Sequence, residues 1–134
     1  MIDHHSALIY TMVLAAAADD EMTDAELERM GEIVRFLPVF RDFDPELVSK
    51  TANECVELLR DEDGLDKTLA LIHNHLPVKL RETAYAIACD VVAADGRAQQ
   101  EDLRLLEMIR HRLDIDRLIA AAIERGARAR SMRG

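Results

Sequence analysis

The stretch "YAIACDVVAADG", residues 85 to 96, decides the fold. Ala, Ile, Val and Cys run through it without alternation, and the Asp-Gly pair closes it as a turn, so it predicts a buried helix ended by a tight bend. One residue disturbs that reading. Asp90 places a carboxylate where Ala84, Ile87 and Val91 form an apolar ridge, and a charge there is costly unless it is paired, hydrogen-bonded or bound to metal. Three roles stay open: partial exposure on a narrow polar strip with Thr83 and Arg97, a buried pair with an arginine such as Arg29 or Arg104, or a ligand beside Asp95.

The same period extends in both directions. Apolar residues recur at spacings of three and four along the chain and no segment alternates in the manner of a strand, which makes the protein all-α. A first helix is expected over about Ser6 to Ala18. The second begins at Thr23, where Thr23 and Glu26 fit a capping box, carries Leu27, Met30, Val34 and Leu37 inward, and stops at Pro38. Asp44 caps a third helix with Pro45 at its first position, burying Val48, Thr51, Cys55 and Leu58. "DEDG" at 61 to 64 breaks it.

A fourth helix carries Leu65, Leu69, Ile72 and Leu76 up to Pro77, and the fifth spans about Val78 to Ala93. The sixth, about Gln100 to Arg112, is expected to bury Leu103, Leu106, Ile109 and Leu113. The seventh starts at Asp116, buries Leu118, Ile119, Ala122 and Ile123, and ends before Gly126. About seven helices joined by short loops form a compact bundle, one domain over residues 1 to 134.

An internal echo underlies the bundle. "AADDEMTDAELERMGEI" (17 to 33) aligns with "AADGRAQQEDLRLLEMI" (93 to 109) at an offset of 76, matching Asp19 to Asp95, Glu26 to Asp102, Leu27 to Leu103 and Ile33 to Ile109. Two helix-turn-helix units with the same acidic bend are implied, packed about a pseudo-two-fold axis.

Charge bounds the partners. Residues 1 to 66 hold 17 acids and 5 bases, whereas residues 67 to 134 hold 9 acids and 12 bases, giving a net charge of -9. Such a balance argues against general nucleic-acid binding. The acidic residues around the third helix, Asp42, Asp44, Glu46, Glu54, Glu57 and Asp61 to Asp63, offer an electrostatic surface for a protein partner, or simply a solvated face. Arg125, Arg128, Arg130 and Arg133 form a basic tail, read either as a frayed terminus or as an anionic docking site. The apolar stretch from Ala7 to Ala18 has 12 residues, too few to span a membrane. A soluble, cytoplasmic protein is expected, without membrane insertion but with room for peripheral association.

Chemical motifs are sparse. Cys55 and Cys89 occupy apolar-periodic positions and read as small buried hydrophobes rather than a disulfide or a redox pair. The histidines, His4, His5, His73, His75 and His111, lack the i,i+4 spacing of a helical zinc pair. No phosphate loop, nucleophile elbow or His-Glu-x-x-His pattern occurs, so no enzyme is expected. The run from Asp19 to Glu26 has the spacing of the second half of an EF-hand loop, but Ala15 and Ala17 stand where the first carboxylates would be. A hard cation needs about six oxygens, so binding would require both repeats to pool ligands. Turn formation and helix capping explain the same residues without metal.

The Ala-rich helix, the "ADD" or "ADG" bend and the acid seven residues after the Asp, followed by Leu, resemble the TerB family of tellurite resistance proteins, a domain type also found in a membrane-anchored DnaJ-type co-chaperone. The resemblance covers the whole chain through its length, helix number and twin motifs. It implies an all-helical single domain, a link to tellurite and other stress responses, and acidic residues that hold a divalent cation such as calcium or magnesium. On this chain those candidate metal residues are Asp19, Glu26, Asp95 and Asp102, with Asp90 alongside. The chain departs from the family pattern at Asp20, where Gly is usual, at Ala98, and at Gln99-Gln100, which lacks a hydroxyl cap. The expected function is therefore a non-catalytic protein-interaction module of stress resistance, with a divalent-metal sensor or buffer as the alternative.

Overall fold

In a computed structural model, which describes residues 2 to 16, 22 to 94 and 100 to 134, the protein folds into seven α-helices. These are α1 (His4–Ala15), α2 (Asp24–Phe36), α3 (Val48–Leu59), α4 (Gly64–His75), α5 (Arg81–Ala94), α6 (Gln100–Arg112) and α7 (Arg117–Ser131). Short 3-10 turns at Pro38–Phe40, Pro45–Leu47 and Val78–Leu80 link them, and the described residues contain no strand.

Helix α1 is the central strut. From Ala7 to Ala15 every residue is buried, because its apolar side chains point all round, and a helix of that kind is stable only when neighbours cover every face. Helices α3, α4 and α5 supply that cover. The Asp3 carboxylate caps α1 by accepting from the Ser6 N–H at 2.8 Å, satisfying a backbone donor left orphaned at a helix start. His5, in the first turn, is buried: its Nε2 lies 2.9 Å from the Val39 carbonyl, and its ring lies against Phe40 and Phe43. That contact ties the start of α1 to the turn after α2.

Helices α1 and α5 pack on each other, while α6 also packs on α1 and α2 on α5. The two helix pairs are not equivalent, since α6 packs on α5 whereas α2 hardly touches α1. Residues 17 to 21 and 95 to 99, where the sequence predicts the acidic bends, lie outside the described residues, as does the last turn expected for the first helix. Buried side chains from all seven helices form one core.

Local chemistry sets the remaining boundaries. Thr23 caps α2 as a complete box: its Oγ1 accepts from the Glu26 N–H at 3.1 Å, and the Glu26 carboxylate accepts from the Thr23 N–H at 2.9 Å. Asp44 caps a 3-10 turn instead of a full helix, with its Oδ1 accepting from the Glu46 N–H at 3.0 Å, and α3 proper begins only at Val48. Gly64 opens α4 against the end of α3, and a Cβ there would come within 2.7 Å of the Leu59 backbone. Only a residue without a side chain permits that approach.

Several expectations about buried faces fail. On α7 Leu118 is 80% exposed, and Ile119 and Ala122 are exposed as well; on α6 Leu103 is 54% exposed, and Leu65 on α4 is also exposed. On α7 the packed face is Ala120 and Ala127, with Ile123 partly buried. Helix α7 does not end at Gly126 but continues to Ser131. The reason is the contact with α5: α5 and α7 pack extensively, with Tyr85 reaching Glu124 and Asp90 reaching Arg130, and that contact buries the Ala120 and Ala127 face of α7 and leaves the more hydrophobic Leu118 edge in water. A mid-helix glycine costs only about 1 kcal/mol relative to alanine, which that packing exceeds.

Candidate functional site

Asp90 lies on the face of α5 toward α7 and binds Arg130, which the sequence marked only as part of the basic tail. Its Oδ1 accepts from Arg130 Nη2 at 2.7 Å and from Arg130 Nε at 3.3 Å. The two side chains are partly open to water, 38% for Asp90 and 59% for Arg130. Asp90 is therefore neither a buried charge nor a polar strip of α5 alone. It is an interhelical pair at the edge of the core, made possible by the extension of α7 past Gly126.

The arginines first considered for it are elsewhere. Arg29 lines the same cleft of about 390 Å³, together with Glu32, Asp90, Arg130 and Arg133, without pairing with Asp90. Arg104 lines a second cleft, of about 620 Å³, between α4 and α6. There Arg112 binds Asp66 across the two helices. A signal for Arg130 existed only in the basic tail, since Asp90 and Arg130 are 40 residues apart and no local spacing links them.

The residues proposed for metal divide into three groups. Asp19 and Asp95 lie outside the described residues. Glu26 has its carboxylate committed to the α2 capping box, where Oε1 also accepts from the Thr23 hydroxyl at 2.9 Å, and Asp90 is committed to Arg130. Asp102 stands half-buried in the first turn of α6. Among the described residues no three His, Cys, Asp or Glu side chains gather into a group able to hold a metal ion.

A third recess lies between α6 and α7. These consecutive helices both pack on α5 yet hardly touch each other, leaving a groove of about 580 Å³. Its floor is Tyr85, Cys89, Val92 and Ala93 of α5, one wall is Leu103, Leu106, Glu107 and Arg110 of α6, and the other is α7 from Glu124 to Ser131 with Met132 just beyond its end. The Tyr85 hydroxyl, in a ring that is 1% exposed, donates to Glu124 Oε2 at 2.5 Å. Burial, followed by that carboxylate, pushes the phenol well above its ordinary range. Sequence reading missed this groove because it follows from which face of α7 is buried.

The two thiols are chemically quiet. Burial raises both Cys55 and Cys89 to about 12, so neither carries thiolate at neutral pH. Cys55 contacts the Tyr10 carbonyl at 4.0 Å, and Cys89 lies on the groove floor. No described helix is long and apolar enough to cross a membrane.

No curated protein and no solved structure matches the chain. The family model described as "Tellurite resistance protein TerB" matches residues 5 to 124, from the first turn of α1 into the packed part of α7. The chain belongs to the TerB family of tellurite resistance proteins.

Proposed function

We propose that this TerB-family domain is a non-catalytic protein-interaction module of tellurite and stress resistance that docks a basic partner on the acidic surface around α3. The observation that carries the reading is the state of those acids. Asp42, Asp44, Glu46, Glu54, Glu57 and Asp61 to Asp63 are all exposed, and only local ion pairs touch them: Glu57 with Arg60 at 2.5 Å and Asp61 with Lys67 at 3.8 Å. Among the described residues no lysine or arginine pairs with Asp42, Glu46, Glu54, Glu62 or Asp63. A field of one sign on one face raises the encounter rate with an oppositely charged partner and rejects like-charged ones. Two buried, protonated thiols support a binding role over nucleophilic chemistry.

A divalent cation enters this reading as an accessory of the Asp19 and Asp95 bends. Calcium or magnesium that failed to raise the melting midpoint of the wild type above that of an Asp19→Asn, Asp95→Asn variant would remove it. The docking surface is tested by affinity capture from tellurite-exposed host cells. A Glu46→Lys, Glu54→Lys, Glu57→Lys variant, changed at three exposed positions, is expected to lose partners that the wild type retains. Identical partner profiles would refute the proposed surface.

A further inference from the structure

The groove between α6 and α7 lies apart from the acidic surface, and its chemistry differs. Its volume of about 580 Å³ falls within the roughly 300–1,000 Å³ of small-molecule sites, which are mostly apolar with a few convergent polar groups. Val92, Leu106 and Ala127 supply buried apolar surface, while Leu103 and Met132 stand exposed at 54% and 72%.

The polar groups are unequally engaged. Glu124 already accepts from Tyr85. Glu107 faces His111 at 3.8 Å. Arg110 is turned toward the Ile115 carbonyl at 3.4 Å and toward His111 at 3.1 Å. Among the described residues the Arg128 guanidinium has no side-chain partner, which leaves it as the unspent cation of the lining. We infer that the α6-α7 groove binds a single anionic amphiphile, its apolar chain lying along Leu103, Leu106, Val92 and Met132 and its carboxylate-type head meeting Arg128. Guanidinium pairs with carboxylate through charge-assisted hydrogen bonds, and the occupant would cover the two exposed apolar side chains, which the free protein leaves in water.

The test uses the full chain with decanoate below its aggregation threshold, decyltrimethylammonium as the head-group control, and phosphatidylglycerol vesicles as the membrane arm. Calorimetry is expected to give one decanoate per chain, with methyl chemical shifts moving at Val92, Leu106 and Met132. A charge-assisted hydrogen bond contributes about 1.5–3 kcal/mol, so Arg128→Glu should weaken decanoate by about tenfold or more, and the cationic probe should bind about tenfold more weakly than decanoate. Leu103→Glu should also weaken it. Both sites are exposed, and unchanged melting curves confirm that the variants fold. No decanoate binding at millimolar concentration, equal binding of both heads, indifference to both variants, or binding to vesicles alone would each overturn the inference. None of these results bears on partner capture by the α3 surface, so the two proposals fail separately.

Discussion

The Asp90-Arg130 pair joins the middle of α5 to the last turn of α7, and its strength can be worked from its geometry. A fully buried ion pair broken on one side costs about 3–5 kcal/mol because the remaining charge has no solvent. An exposed pair contributes about 0–1 kcal/mol. With Asp90 38% and Arg130 59% open to water, and two donors of one guanidinium on a single oxygen at 2.7 and 3.3 Å, the pair belongs near the upper end of the exposed class. A double-mutant cycle with Asp90→Asn, Arg130→Gln and the double variant should therefore give a coupling of about 1 kcal/mol in urea unfolding at low salt. Each single variant should melt a few degrees lower, about 2–4 °C for a chain of this size. Molar salt should reduce the coupling. Millimolar calcium or magnesium should leave it unchanged, because the carboxylate is held by Arg130. A coupling of 3 kcal/mol or more would mean a buried pair, and one that collapses in millimolar calcium would return Asp90 to the metal ligands.

Other perturbations read the fold at separate points. Gly64→Ala should destabilise by about 1–3 kcal/mol through backbone overlap at the α3-α4 junction, measured by thermal melting; a neutral change would show that the two helices can part without cost. Cys55 and Cys89, both raised to about 12 by burial, should react with a maleimide at pH 8 only as fast as the native state opens, and rapid stoichiometric labelling of folded protein would contradict that burial. Asp3 is held below the ordinary carboxylate range, first by the Ser6 N–H. A depressed folded pKa stabilises fully above the unfolded value of about 3.9 and fades as pH falls through the folded one. Asp3→Ala should thus cost about 1 kcal/mol at neutral pH, with the gap to wild type closing below about pH 4; a gap that persisted in acid would argue against the cap.

The helices were legible where the sequence carries its own punctuation. Thr23 with Glu26 announces α2, and Pro38, the Asp61-to-Gly64 break and Pro77 separate the elements that follow. What the residues could not declare was how closely α5 and α7 approach. The hydrophobicity of Leu118 and Ile119 points to one face of α7, whereas the structure buries Ala120 and Ala127, on the helix whose Glu124 and Arg130 meet Tyr85 and Asp90 of α5. Three consequences depend on that single choice: the continuation of α7 through Gly126, the meeting of Arg130 with Asp90, and the groove that opens beside α6. The local capping role of Glu26 was readable from its spacing to Thr23. Which arginine would meet Asp90 was not, since the pair is purely tertiary.

Growth on tellurite tests the functional claim most directly. In host cells lacking the protein, wild type and the Glu46→Lys, Glu54→Lys, Glu57→Lys variant are expressed at equal, folded levels and survival is compared across tellurite concentrations. Docking through the acidic α3 surface predicts that wild type restores tolerance and the charge-reversed chain does not. Equal restoration by both would contradict it.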